Sequence, residues 1–253
     1  MVATHDGFDQ HVVIVTGAGS GIGRATAIAF ADAGARVLGI GRRAERLEET
    51  AANHASIATL ALDIREDDAA ATIVDEAVGR WGRVDVLVNN AGVFTAMPLG
   101  ELDAQRIAEI TTTNVTAPSL LADAALPHLK KTGGAIINVS STFGHRPAPG
   151  AAHYGATKAA VEHLTRSWAL ELASHGVRVN AVAPGPTESD ALAAAGLDPD
   201  VIDQIKDGEA ARIPLGRRGE PEEVARWIVR LALPGSAWVT GQVLAVDGGL
   251  ALT

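Results

Sequence analysis

Ser141, Tyr154 and Lys158 are the residues whose types and spacing could do chemistry together. Tyr154 and Lys158 are four apart, so on a helix they share one face, one turn from each other. Ser141 falls where a strand runs out, close enough to the helix start to face the same space. A hydroxyl, a phenol and an ammonium would then converge on one point. A free phenol has a pKa of about 10 and holds its proton at neutral pH. A nearby ammonium favours the phenolate, but reaching about 7 would take roughly 4 kcal/mol, at about 1.36 kcal/mol per unit. A second cation, such as an oxidised nicotinamide, would help. Tyr154 would then give or take the proton on a substrate oxygen while a hydride moves at carbon, with Ser141 holding the same oxygen. By itself Y-x-x-x-K describes many ordinary helix surfaces, so the weight falls on the rest of the chain.

The elements around this trio follow a regular order. His11 to Thr16 (HVVIVT) predicts a buried strand, followed by GAGSGIG and an alanine-rich helix from about Ile22 to Ala33 that ends at Gly34. Strands are expected at 36–40, 57–62, 84–88, 135–139, 177–182 and 242–246. Helices are expected at 44–53, 67–81 and about 151–175, and one long helical region covers 102–130. Strands alternating with helices predict a single α/β domain, a doubly wound, Rossmann-type parallel sheet of seven strands covered on both faces. Residues 187–219 fit neither period and follow the sixth strand's carboxyl end. That place suits a substrate lid over the crevice where such sheets bind ligands.

Composition narrows the function classes. The chain has 253 residues, a formal net charge of −9 and no cysteine. The negative charge argues against a nucleic-acid partner, and the missing thiols exclude disulfides and thiolate catalysis. No histidine pair has metal-ligand spacing, and no metal is expected. No apolar run is long enough for a membrane span. The N-terminus does not read as a signal peptide, so the expected location is cytoplasmic.

The turn Thr16-Gly17-Ala18-Gly19-Ser20-Gly21-Ile22-Gly23 follows a strand and opens a helix. Its glycines permit a tight turn and close approach of a pyrophosphate, whose charge suits the helix N-terminus. The second strand ends Gly41-Arg42-Arg43. An acidic residue there would bind the ribose hydroxyls of NAD, whereas arginine accommodates the extra phosphate of NADP. Positive charge in a first helical turn is unfavourable unless an anion meets it.

With TGAGSGIG, Asp63, NNAG (Asn89 to Gly92), Asn114, Ser141 with the YGATK of Tyr154 to Lys158, VNAVAPGPTES (Val179 to Ser189) and VTGQVLAVDGG (Val239 to Gly249), the chain resembles the short-chain dehydrogenase/reductase superfamily, compact branch, over nearly its whole length. The resemblance implies that Tyr154 is the general acid/base and Ser141 its substrate-oxygen partner, the serine lying thirteen positions before the tyrosine. Lys158 would hold the nicotinamide ribose and tune Tyr154, and Asn114 would anchor a water relay to Lys158. Gly17, Ser20, Gly21, Ile22 and Gly23 would meet the pyrophosphate; Asp63 and Ile64 would flank the adenine. Asn90, Ala91 and Gly92 would line the adenosine side, and Pro184, Gly185, Thr187 and Ser189 the nicotinamide amide. Phe94 and Phe143 would touch substrate with Ser141 and Tyr154. Members that prefer NADP often carry a basic residue in the glycine turn, where Ser20 stands, leaving Arg42 and Arg43 to hold the phosphate and keeping NAD open. The P-G-x-I-x-T contact reads Pro184-Gly185-Pro186-Thr187-Glu188-Ser189.

The expected function is a ketone/secondary-alcohol oxidoreductase using NAD(P), running as an NADPH-dependent carbonyl reductase on a small molecule. A homotetramer is expected, from the resemblance and from apolar residues on two faces of the helix after Tyr154 (Ala156, Ala159, Ala160, Leu164, Trp168) and in the C-terminal tail. The rival from another class is a nucleotide-binding regulator or scaffold that lost turnover, which would need none of Asn114, Ser141, Tyr154 and Lys158. Sugar epimerisation and enoyl reduction are rival reactions, though the family's epimerases generally carry a longer substrate domain and its enoyl reductases usually space tyrosine and lysine more widely. His145 and His153 are expected as ordinary loop and helix-start residues, and Arg217-Arg218 as a solvated turn.

Overall fold

The computed structural model describes residues 7–189 and 198–253. Seven strands form one parallel sheet in the order β3-β2-β1-β4-β5-β6-β7: β1 Val12–Thr16, β2 Arg36–Gly41, β3 Ile57–Ala61, β4 Val86–Asn89, β5 Ala135–Val139, β6 Arg178–Pro184 and β7 Val243–Val246. The helices between them are α1 Gly21–Asp32, α2 Ala44–Ala51, α3 Ala69–Trp81, α4 Ala104–Thr111, α5 Ala117–Thr132, α6 Ala152–Leu172, α7 Pro199–Ala210 and α8 Pro221–Ala232.

Alternation along each strand feeds two cores. Val13 and Val15 of β1, Val86 and Val88 of β4 and Ile137 of β5 pack with Phe30 of α1 and Ile228 of α8. Val12, Ile14, Leu87 and Ile136 face the other way, against Ile73 of α3, Leu121 and Leu129 of α5 and Ala169 of α6. Both faces of the central strands are therefore buried, which is why they read as continuous apolar runs.

Two elements depart from the sequence expectation. Helix α8 was not expected, although its start is written plainly: Pro221 opens it, and Glu220 and Glu223 form a capping box. It packs along α1 and closes the first core. The long helical region at 102–130 is not one helix. A single π-turn, Thr112–Thr116, joins α4 to α5. Pro118 supplies the reason, because it has no N–H to give the carbonyl of Asn114 four residues earlier. The turn that carries Asn114 is thus widened at that residue.

Of the expected lid, α7 and the segment 211–219 are described; residues 190–197 lie outside the described residues. Arg218 is not a solvated turn residue. Its side chain is 8% exposed and it donates to the carbonyl of Thr187 and to Glu188 and Glu209, while Lys206 of α7 also pairs with Glu188 at 2.6 Å. Arg218 thereby ties α7 to the end of β6. Arg217 pairs with Glu223 at the surface. No helix among the described residues is long and apolar enough to cross a membrane.

Candidate active site

The glycine turn sits at the carboxyl end of β1, where the sheet order reverses between β1 and β4. Gly17 and Gly21 have positive φ, +71° and +49°, a region that side chains avoid. Gly23 serves a different need: a Cβ there would stand 2.1 Å from the Gly17 carbonyl oxygen and 2.4 Å from Nδ2 of Asn90. The turn is strapped to β4 through Asn90, whose Nδ2 donates to the Thr16 carbonyl at 2.8 Å. Thr16 Oγ1 in turn accepts from the amides of Asn90 and Ala91. No side chain caps the start of α1 and its first turn holds no acidic residue, so that helix end favours an anion.

A cleft of about 640 Å³ runs from this turn past Arg42, Arg43, Asp63 and Ile64 on one side and Asn90, Ala91 and Gly92 on the other, as far as Phe94 and Thr113. A smaller pocket of about 190 Å³ joins it at Ile22, and Ser141, Tyr154, Pro184, Gly185, Thr187 and Ser189 line it. The paired volumes suit a dinucleotide: a long arm with cationic groups at the far end, and a short arm ending at the hydroxyls. Arg42 and Arg43 are exposed and make no ion pair among the described residues. Asp63 is engaged by Arg65 at 2.6 Å, whose hydrogen bond holds its carboxyl below the usual range.

The three proposed reacting groups do meet. Ser141 follows β5 and is buried; Tyr154 and Lys158 lie one turn apart near the start of α6. Ser141 and Tyr154 line the same small pocket, close enough for the serine hydroxyl to favour the ionised phenol. The amide of Phe143 donates to Ser141 Oγ at 3.2 Å, occupying one lone pair of the serine hydroxyl. Phe94 and Phe143 stand edge-on to the Tyr154 ring, at 5.1 and 6.3 Å between centroids.

Electrostatics differ from the sequence expectation. Burial pushes the Tyr154 phenol above its usual value, and the Ser141 bond offsets only part of this. Lys158 does not reverse the sign. Its Nζ donates to the Val139 carbonyl at 2.8 Å and lies 5.8 Å from the Tyr154 ring centre. Burial pushes its own pKa down to about 8. The free protein therefore holds a protonated phenol over a lysine whose charge is itself weakened.

Asn114 is buried beside Lys158: a Cβ on Gly92 would lie 3.3 Å from both Asn114 Oδ1 and Lys158 Nζ. Its side chain is anchored at both ends, Oδ1 accepting from the Val93 amide and Nδ2 donating to the Val93 carbonyl and Thr157 Oγ1. Its backbone carbonyl is the one that Pro118 leaves without the usual helical donor. His145 is not idle either. Its Nδ1 lies 3.1 Å from Oε1 of buried Glu162. His153, at the start of α6, is half-buried.

A solved short-chain dehydrogenase/reductase of unknown function from Caenorhabditis elegans, described with cofactor, superposes with a TM-score of 0.91 at 34% identity, covering 97% of both chains. The chain belongs to the short-chain dehydrogenase/reductase superfamily. Residues 17–251 match a family model described as enoyl-(acyl carrier protein) reductase. Among named relatives, cis-4-hydroxycyclohexanecarboxylate dehydrogenase of Sinomonas cyclohexanicum is 41% identical over 96% of this chain and 98% of its own. The 3-oxoacyl-(acyl-carrier-protein) reductase of Thermotoga maritima is 37% identical, covering 95% and 98%. Meso-2,3-butanediol dehydrogenase of Serratia marcescens is 36% identical, covering 96% and 95%. The protein is an oxidoreductase of a superfamily whose members use NAD(P). No group of residues that could hold a metal ion occurs among the described residues of this superfamily member.

Tyr154 is the only tyrosine in the chain, so its ionisation can be read directly. The phenolate ultraviolet difference signal of the free protein should stay flat through pH 9 and rise only above pH 10, since burial pushes the phenol above its usual value of about 10. A midpoint near 7 in the absence of cofactor would contradict this electrostatic account.

Proposed function

We propose that the protein interconverts a ketone and a secondary alcohol, and runs chiefly as an NADPH-dependent carbonyl reductase. The observation that carries this reading is that Ser141 and Tyr154 line one short pocket, which joins the long cleft at Ile22. When bound, the nicotinamide ring supplies or accepts the hydride at the substrate carbon. Ser141, steadied by the Phe143 amide, donates its hydroxyl proton to the carbonyl oxygen. Tyr154 gives its phenolic proton to that oxygen as the alcohol forms, and takes it back in oxidation. A phenol whose pKa is raised keeps its proton at neutral pH, which favours the reductive direction. Lys158 supports the phenol from beneath, and the freed Asn114 carbonyl offers the start of a proton path to Lys158.

The relatives' names support the reaction class. A hydroxycyclohexane carboxylate, a 3-oxoacyl chain and a 2,3-diol have little in common beyond a secondary alcohol or its ketone. Phe94 and Phe143 on either side of Tyr154 suit an apolar substrate body. The cofactor reading rests on Arg42 and Arg43, two unpaired guanidinium groups at the strand end where NAD-preferring sites carry a carboxylate.

We also read the protein as a homotetramer. Trp238 is 100% exposed, Leu252 90% and Leu170 of α6 83%, and Ala156 and Ala159 lie on the outer face of α6. Apolar groups so exposed on two separate surfaces fit two symmetric interfaces.

Three outcomes follow. Tyr154→Phe should lower kcat by about a hundred- to ten-thousandfold while leaving cofactor affinity nearly unchanged; retention of a tenth of wild-type kcat would exclude Tyr154 as the acid. Arg42→Ala should raise KM for NADPH far more than for NADH, and equal changes would make Arg42 a bystander. Light scattering during size-exclusion chromatography should give a mass near four chains of 26.0 kDa; a single-chain mass at micromolar concentration would refute the assembly.

A further inference from the structure

Glu162 has no part in the reaction described so far, yet it is a buried carboxylate, 4% exposed, eight residues after Tyr154 and four after Lys158 on the same face of α6. We infer that Glu162 is a positioning residue for the reacting pair, one carboxylate oxygen holding both ends of the turn that carries Ser141 and Phe143. This rests on the reading of Ser141 and Tyr154 as the reacting hydroxyls.

The geometry is specific. Ser140 Oγ donates to Glu162 Oε1 at 2.9 Å, and His145 Nδ1 lies 3.1 Å from the same oxygen. Between those two residues run Ser141, then the short 3-10 turn Thr142–Gly144, so the carboxylate closes the segment like a clasp. Gly144 is pressed against it: a Cβ there would come within 2.5 Å of Oε1 and 2.9 Å of Ser140 Oγ. The turn has one other side-chain anchor, Thr142 Oγ1, which reaches the Pro184 carbonyl and Asp247, both at 3.2 Å. Arg166, one turn further along α6, stands 3.8 Å from Oε2, and the Lys158 carbonyl lies 3.3 Å from Ser140 Oγ.

A buried carboxylate costs free energy that an aliphatic side chain of similar volume would not. What the carboxylate adds is an acceptor strong enough for two donors at once. Losing it frees both ends of the turn while α6, with Tyr154 and Lys158, stays on the sheet. Ser141 and Phe143 would then drift relative to Tyr154, and a misplacement of about 1 Å can cost about a hundredfold in rate.

The test compares Glu162→Ala, Glu162→Gln, His145→Ala and Tyr154→Phe in ketone reduction with NADPH, with cofactor affinity measured separately by fluorescence. Glu162→Ala should lower kcat by at least tenfold with cofactor affinity within about twofold of wild type, the mark of lost alignment rather than lost folding. Glu162→Gln keeps an acceptor oxygen for Ser140 and should recover most of kcat. His145→Ala, at a surface-side position that does not endanger folding, should lower kcat by about threefold or more, again without changing cofactor affinity. The inference fails if Glu162→Ala keeps kcat within twofold, or if Ala and Gln lose kcat and cofactor affinity together. Should Glu162→Ala not fold, an unchanged kcat in His145→Ala overturns it. Tyr154→Phe separates the two levels: if it stays active, the reading of the reacting pair is what fails; if it is inactive while Glu162→Ala is active, only the clasp fails.

Discussion

Burying the ammonium of Lys158 is the constraint on which the rest of the site depends. The side chain is 4% exposed, and burial alone takes its pKa down to about 8. Such a group needs acceptors, and the strand end supplies one in the Val139 carbonyl at 2.8 Å. It also needs room. Gly92 gives that room by having no Cβ, and Asn114 packs alongside with its side chain turned to Val93 and Thr157. The same burial raises the phenol of Tyr154, so one desolvated space keeps the tyrosine protonated and the lysine close to losing its proton. The two groups have nearly equal ordinary values, and their surroundings push them apart, the phenol upward and the ammonium down to about 8, which gives them separate roles as proton donor and weakened cation.

Helix α6 organises these effects along one face. Tyr154, Lys158, Glu162 and Arg166 recur every fourth residue, passing from the reacting phenol through the buried cation to the clasp and its surface neighbour. The end of β5 and the two residues after it meet this face with a matching series: the Val139 carbonyl takes Lys158, the Ser140 hydroxyl takes Glu162, and Ser141 faces Tyr154 across the small pocket. Three consecutive residues thus address three successive turns of one helix. The π-turn at Thr112–Thr116 completes the enclosure from the far side, because Pro118 leaves the Asn114 carbonyl to other partners.

The large cleft and the small pocket divide labour in the manner of a doubly wound sheet, with the ligand crevice outside the carboxyl ends of β1 and β4. The glycine turn is held there by packing, since Gly23 must admit the Gly17 carbonyl and Asn90. Arg218 does comparable work on the opposite side, drawing Thr187, Glu188 and α7 together through a nearly buried guanidinium.

Much of this was legible in the chain. Periodicity located the seven strands to within two or three residues, since both faces of each central strand are apolar. The glycine spacing and the four-residue step from Tyr154 to Lys158 were readable because they are local, fixed by turn and helix geometry. Helix α8 is equally local, announced by Glu220-Pro221-Glu222-Glu223, and so is the proline behind the π-turn. The remainder was decided only by the tertiary structure. Nothing local says that Arg218 would be buried by residues 30 positions earlier, that Glu162 would meet Ser140 and His145, or that the Lys158 amine would turn to β5. Nor does sequence spacing reveal that Tyr154 would be raised rather than lowered. Charge and hydrogen-bond energies depend on distance and desolvation, and those are set by which elements pack together, not by which residues follow one another.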